Sequence, residues 1–536
     1  MSESLLLFTI GPVQQFVEPS RKLKDLYTGS FLLSHLAIVA KKFFEDSGGS
    51  IIIPSPNTVN APNRIIVKLS NTHSGKEIAI AAKQHVQKQF MNISRAIIED
   101  SKLIFSDSVK RQLSHFLEIN WVIEPLGLDF KESYIKLMNH MHSVKNTRMF
   151  HQMCEPAGRK CDLYEQYNAL FTSEQPSRKN LQETKLKDGE NLSAIALVKR
   201  NFSTWVKSQP LVFDMNVTSV AYMLLKSYLP KDADLEPIKD EGSEALFDFK
   251  NQEDIVNHIE YQDKTISAAK RLYDSYGGYI GSPYYAIVKL DGDGVGQKYK
   301  AVKSVQEAQK LSEAISDFSK EAKKIIENHQ GVCVFAGGED ILAFLPLHTL
   351  FLSLTQLITA FAGIKELNNQ GTLSAGIIVA HLMSPLKPLL QQVEQLESHA
   401  KQIDAGKAAF SMEIMRRGGL STPLRMKFGK KAANLTIFED AIKGLAKQEH
   451  SNSFVQNIIM IIEPIQNNVT KEMVEALLKK VLRSSLQNKE QVEKQVAVFL
   501  NLYEALNEET PVFLHFLQQV SFFARETFVE PKKEEA

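Results

Sequence analysis

The chain has 536 residues, of which 43% are hydrophobic and 23% charged, and its 63 basic and 62 acidic side chains nearly cancel. That length is too great for one hydrophobic core and calls for about three or four domains. The balanced charge neither supports nor excludes nucleic-acid binding, which needs a local basic surface, but no apolar run reaches the ~18–20 residues of a membrane span.

The first residues lack a positive region and lead into the apolar run Leu5-Leu6-Leu7-Phe8, so the start reads as a strand and not as a signal peptide. That strand ends at Gly11-Pro12, and a helical stretch follows over about 14–42. Short strands are expected at 51–53, stopped by Pro54, and at 64–69. Residues 75–150 read as mostly helical, 151–168 as irregular, and 169–280 as helical with polar loops. Three cysteines, Cys154, Cys161 and Cys333, make no disulfide framework and point to a reducing, cytoplasmic setting.

From 284 the pattern sharpens. Tyr284 to Leu290 is a strand that runs into Asp291-Gly292-Asp293-Gly294. Leu311, Ile315, Phe318, Ala322 and Ile325 give the next helix one buried face, and Gly331 is placed to end it. Strands at 332–335 and 341–345 are joined through Gly337-Gly338-Glu339-Asp340, and helix, strand, helix and strand follow to 415. The order β-α-β-β-α-β is ferredoxin-like. Beyond about 425 the chain reads as helical.

The acids at these turns suggest metal-dependent phosphoryl transfer. Mg²⁺ or Mn²⁺ needs hard oxygen ligands from different strands converging on one spot. Asp291, Glu339 and Asp340 are the expected catalytic acids and metal ligands. Gly292, Gly294 and Gly296 would admit phosphate oxygens close to the backbone, and Gly337 and Gly338 would form a tight turn beside the nucleotide. Lys401, near the end of an amphipathic helix, would reach a triphosphate.

These residues resemble the large, palm-bearing polymerase/cyclase-like subunit of type III-B (Cmr) CRISPR effector complexes. The resemblance rests on Thr9-Ile10-Gly11-Pro12-Val13-Gln14-Gln15-Phe16, on Asp291 to Gly296, and on Phe335 to Ala343. Ser374-Ala375-Gly376-Ile377, Ala400-Lys401 and Gly406-Lys407 extend it. It implies an α/β (α+β) fold with two ferredoxin-like palm domains and intervening and C-terminal helical domains. The boundaries would be 1–150, 151–168, 169–280, 281–425 and 426–536, the first domain being a palm without metal ligands.

By the resemblance, guide RNA, target RNA and other subunits of the complex are partners, and ATP is the substrate. The product would be a second messenger, either a cyclic oligoadenylate or AMP joined to S-adenosylmethionine. Asp293 would be a fourth metal ligand, Ser374 would line the nucleotide pocket, and Gln14, Arg21 and Ser30 would face the shared cleft. Three departures stand out. Glu339 replaces the family's usual Asp. No histidine is followed by Asp, so no HD-type DNase is expected. The zinc module is incomplete: His151, Cys154 and Cys161 remain as ligands, with His140 or His142 a fourth, but Tyr164 stands where a cysteine would complete it. A decayed site with interior cysteines is the preferred reading there. A silent scaffold, or a free-standing cyclase, is the alternative to the enzymatic reading.

Overall fold

The computed structural model describes residues 3–55, 61–70, 75–147, 155–171, 184, 186, 189–208, 218–239, 242–248, 263–276, 280–416, 419–420, 423–446, 453–483 and 488–527. Two sheets organise the described residues. The first contains β1 (Ser4–Gly11), β2 (Ser50–Ile53), β3 (Arg64–Leu69) and β4 (Glu118–Pro125) in the order β2-β3-β1-β4, all antiparallel. Helices α1 (Gln14–Val17), α2 (Leu23–Asp46), α3 (Gly75–Asp100), α4 (Asp107–Ser114) and α5 (Phe130–Asn146) belong to this unit. The expected single helix over 14–42 is thus two helices, broken after Val17.

The second sheet contains β5 (Tyr284–Gly292), β6 (Val332–Gly337), β7 (Asp340–Pro346), β8 (Leu373–His381), β9 (Ala409–Arg416), β10 (Gly419–Leu420) and β11 (Leu424–Lys427). Its order is β10-β9-β8-β5-β7-β6, with β11 also on β9. Taking β5 to β8 as a four-strand set, this is the strand order of the first sheet, so both ferredoxin-like units are present. The second is lengthened by a parallel β8–β9 pair.

Between the sheets in sequence lie α6 (Ala194–Lys207), α7 (Val220–Tyr228), α8 (Gly242–Asp248) and α9 (Asp263–Ser275). The second unit adds α10 (Val295–Ala301), α11 (Val305–Asn328), α12 (Leu350–Ala362) and α13 (Leu386–Lys401). Five helices close the described chain: α14 (Ala433–Ala446), α15 (Ser453–Ile462), α16 (Lys471–Arg483), α17 (Lys489–Ala505) and α18 (Thr510–Thr527).

Strand alternation decides what covers each face of the second sheet. Ala286, Val288 and Leu290 point to the α11–α12 side, in a core that continues without a break into the C-terminal helices. Phe351 of α12 stacks on Phe438 of α14 at 4.7 Å, and Phe438 meets Phe516 of α18 at 4.3 Å. Tyr285 and Ile287 point the other way, onto Leu389, Leu390, Val393 and Leu396 of α13 and onto α7. Lys289 and Asp291 therefore fall on the α13 face.

One expectation about a turn needs correcting. Gly331 does not terminate α11 by a left-handed conformation; Gln330 does so, with φ of 62°. Gly331 is needed for space, because a Cβ there would lie 2.6 Å from Leu345 and 2.7 Å from the Phe344 carbonyl.

Candidate active site

The acids meet because of sheet register. Lys289 pairs with Leu342 and Leu290 with Ile341, so the next step of the same ladder sets Asp291 of β5 opposite Asp340 of β7. Their carboxyl groups are in hydrogen-bond contact. Like charges facing one another across a ladder are unfavourable unless a proton or cation lies between them.

Glu339 stands beside this pair at the hairpin turn. Gly338 supplies the positive φ of that turn, 76°. Gly292 supplies room, since a Cβ there would fall 2.7 Å from the Glu339 Cβ and 2.8 Å from Val295. The Asp-Gly and Glu-Asp turns can pack together only because that side chain is missing. Gly294 is left-handed at the start of α10, with φ of 74°, and Gly296 faces open space.

The electrostatics follow from this crowding. Burial, the hydrogen bond to Asp291 and the charges of Asp291 and Glu339 all push Asp340 well above the ordinary carboxylate range. Asp340 still reaches solvent at the turn, so its contact with Asp291 carries more weight than burial. Burial raises Glu339 as well, with the Asp291 charge adding to it. Burial also works against ionisation of Asp291, but hydrogen bonds from Asp340 and Lys401 hold it low.

Lys401 is where the sequence pattern placed it but engaged differently. Its ammonium pairs with Asp291 and, four residues back on α13, with Glu397. Those two carboxylates raise its pKa above the ordinary lysine value, although burial opposes the shift. Glu397 is in turn 3.6 Å from Lys289, which lies 3.1 Å from Glu394.

Asp293 and Ser374 depart from expectation. The Asp293 carboxylate turns away from the other acids and accepts hydrogen bonds from Thr372 Oγ1 (3.0 Å), Ser374 Oγ (2.9 Å) and the Ala408 amide (3.2 Å). It therefore fastens the glycine loop to β8 and to the 407–408 turn, where Lys407 and Ala408 hold φ of 49° and 50°. Ser374 is fully buried with its hydroxyl committed to Asp293, so it lines no open pocket in this conformation.

In the N-terminal unit, Gln14 donates to Glu394 of α13 and so does border the second unit. Arg21 pairs with Asp162 at 3.3 Å, and Ser30 is buried within α2. Neither reaches the palm acids. What grips the Gly-Pro segment is Lys199 of α6, fully buried, whose ammonium donates to the carbonyls of Phe16 (2.6 Å), Val17 (3.2 Å) and Pro19 (2.7 Å). Tyr164, at the vacant cysteine position, donates to the same Phe16 carbonyl at 2.8 Å. Next to Lys199, Arg200 joins the buried carboxylates of Asp25 (2.8 Å) and Glu190 (2.5 Å).

Of the expected zinc ligands, His151 and Cys154 lie outside the described residues. Cys161 is buried and its sulfur accepts from the Tyr164 amide at 3.4 Å, while His140 pairs with Glu124 at 3.1 Å. His142 is exposed on α5. Cys333 is core, as its place in a strand suggested. Among the described residues no group of three or more His, Cys, Asp or Glu already surrounds a single point as metal ligands do. The palm acids nonetheless fit a divalent cation in donor chemistry: hard oxygens only, two of them forced together by the ladder, with Lys401 the close counter-charge.

Two segments of the chain match family models. Residues 284–411 match Cas10/Cmr2, second palm domain, and residues 5–95 match CRISPR-associated protein Cmr2, N-terminal. Each match falls within one of the two sheet-bearing units. The resemblance read from the sequence is thereby borne out.

A curated relative, CRISPR system Cmr subunit Cmr2 of Pyrococcus furiosus, is 22% identical over 552 positions, covering 78% of this chain and 62% of the relative. The chain thus spans less than two thirds of that relative's length. Among solved structures, the apo Type III-B Cmr-beta assembly aligns over 91% of this chain and 78% of that one, with a TM-score of 0.65 at 13% identity. A Csm1-Csm4 cassette in complex with AMPPNP aligns over 98% and 70%, with a TM-score of 0.52 at 13% identity. These likenesses show the fold.

Sequence reasoning missed Glu397, Lys289 and Lys199. The first two carried a signal: Glu397 precedes Lys401 by one helical turn, and Lys289 shares a strand face with Asp291. Lys199 carried none, sitting in an apolar helix whose partner carbonyls lie about 180 residues away.

Proposed function

We propose that this chain is the nucleotide-condensing large subunit of an RNA-guided type III CRISPR effector, using ATP and two divalent ions to make a second messenger. The single observation that carries the reading is Asp291 set opposite Asp340, in contact, with Glu339 alongside. A sheet that forces carboxylates together in this way gains stability from a metal and has little structural reason to keep them otherwise. Mg²⁺ or Mn²⁺ held by these acids would activate the attacking hydroxyl and stabilise the leaving phosphate. The chain's own part is to hold that charge between two rigid strands and to present Lys401 to the phosphates.

The relatives support the reading. The Cmr-beta assembly is also solved bound to cognate target RNA, and the Csm1-Csm4 cassette is solved in complex with AMPPNP and with cA4. Guide RNA, target RNA and companion subunits are accordingly proposed as partners. Among the described residues no helix is long and apolar enough to cross a membrane.

The test is to incubate the assembled complex with guide RNA, target RNA, Mg²⁺ or Mn²⁺ and labelled ATP, with and without S-adenosylmethionine, and to weigh the product. A cyclic oligoadenylate, or an AMP adduct of S-adenosylmethionine, is expected. A complex that binds target RNA yet makes neither product would leave the scaffold role in its place.

A further inference from the structure

The α13 helix and β5 strand lie in step at the site, and one glycine makes this so. Gly376 of β8 pairs with Lys289 of β5. A Cβ at Gly376 would come within 2.2 Å of the Val393 carbonyl and 2.4 Å of the Glu397 amide. The backbone of α13 therefore rests directly on the sheet at this point. Four residues of helix rise about 6 Å and two residues of strand rise about 6.6 Å, so contacts made in phase at one step stay in phase at the next. Glu397 sits over Lys289 and, one turn on, Lys401 sits over Asp291.

The result is a square of alternating charge: Glu397 and Lys401 on the helix, Lys289 and Asp291 on the strand. Lys401 touches both carboxylates at once. Glu397 is the more buried of its two partners, with 9% of its side chain exposed against 24% for Asp291. Asp291 also contacts Asp340, whereas the ion pairs of Glu397 are with two lysines. One partner is thus the more accessible, crowded by another acid and suited to a metal; the other is a fixed anchor.

Resting on the metal-dependent reading above, we propose that Lys401 is the resident counter-cation of the acid pair and that Glu397 is the positioning residue that keeps it. Lys401 neutralises Asp291 while no divalent ion is bound. When Asp291 takes up a divalent ion, Lys401 gives up that contact, stays on Glu397, and is left beside the acids as a free donor for phosphate. Glu397 touches neither metal nor substrate. Lys289 holds Glu397 in place, and Gly376 sets the height of the helix that carries both.

The test is Mn²⁺ binding to the purified protein without nucleotide, followed by electron paramagnetic resonance, with turnover measured separately in the assembled complex. Lys401→Met removes the competing cation, so Mn²⁺ should bind about tenfold tighter while turnover falls. Glu397→Gln leaves Lys401 with Asp291 as its only acid partner, so Mn²⁺ should bind about tenfold weaker, with KM for ATP raised. Glu397→Asp should restore part of both losses, which a mere packing role for Glu397 would not do. Mn²⁺ binding that is lost in Asp291→Asn but indifferent to Lys401 and Glu397 would overturn the exchange and leave the metal site standing. No Mn²⁺ bound by the wild-type protein would overturn both.

Discussion

In the N-terminal sheet the first strand runs into Ile10, Gly11 and Pro12, whereas in the second sheet the matching strand runs into Asp291, Gly292 and Asp293. Both sheets have the same strand order, so topology delivers a strand end to the same place twice. Past that end the two units diverge. In the N-terminal unit the carbonyls just beyond the strand are gripped by a buried ammonium and a buried phenol, from Lys199 and Tyr164. In the second unit the strand end meets another acid. One site is electrostatically satisfied from within, and the other is left with negative charge to spare. The fold fixes where groups converge, while the side chains decide whether that point is closed or open to a ligand.

The sharpest way to break the comparison is to neutralise the open site. Asp291→Asn or Asp340→Asn should lower nucleotide turnover by about 10³-fold or more, the scale of losing a metal that stabilises transition-state charge. For Asp340→Asn the melting temperature should hold or rise, because that carboxyl no longer has to ionise beside Asp291, whereas Asp291→Asn also loses the Lys401 ion pair and should melt slightly earlier. An Asp340→Asn variant that melts early would make that acid structural, and either variant turning over normally would move the site elsewhere.

The closed site should respond in the opposite sense. Lys199→Met removes the ammonium from three carbonyls, of which Phe16 keeps the Tyr164 hydroxyl and Val17 the Ser20 hydroxyl while Pro19 loses its side-chain donor, and should cost about 1–3 kcal/mol. Calorimetry should show the loss in a transition of the N-terminal unit, while Mn²⁺ binding to the palm acids persists. Burial pushes the Lys199 ammonium down to about 7, with Asp25 opposing. Three carbonyl acceptors call for three hydrogens, however, so the geometry favours the charged form.

Asp293→Asn tests the boundary between the two kinds of site. Asp293 belongs to the acidic loop in sequence but behaves as a fastener in structure, accepting from Thr372, Ser374 and Ala408. The amide keeps the shape and loses the charge-assisted bonds, for about 1–2 kcal/mol of stability. Mn²⁺ should bind with unchanged stoichiometry. A missing metal equivalent would return Asp293 to the ligand set.

Much of this arrangement was legible in the residues themselves. Strand alternation, the Gly-Gly-Glu-Asp turn and the β-α-β-β-α-β order are local signals, and they placed Asp291, Glu339 and Asp340 at one end of neighbouring strands. Register made that placement specific, because a one-residue slip would have sent Asp291 to the opposite face. Asp293 misled because its type and spacing suit a ligand, while its orientation depends on residues about 80 to 115 positions away. Lys199 and Arg200 could not be read at all. A buried cation in an apolar helix is understood only from its acceptors, and these come from Phe16 to Asp25.

The smallest effect expected is a difference in pH dependence between the two units. Glu339 and Asp340 have native pKa values raised above 4.5 and 3.8. Over the range above those ordinary values the folded chain holds protons that the unfolded chain has released. Their contribution is therefore full in acid and is lost as pH rises through the native pKa values. Asp291, shifted the other way, contributes stability that is full above 3.8 and is lost only as pH falls below it, so it adds no slope over this range. In EDTA the palm transition should thus fall by a few degrees between about pH 5 and 8, and Asp340→Asn should flatten it. Mg²⁺ or Mn²⁺ should restore it at the alkaline end, because a cation binds the ionised pair and not the unfolded chain. The Lys199 clamp should contribute no slope below about pH 7, where its lysine is protonated in both states. A metal-free palm whose melting ignores pH would mean that its facing carboxylates are already neutralised from within, as at the N-terminal site.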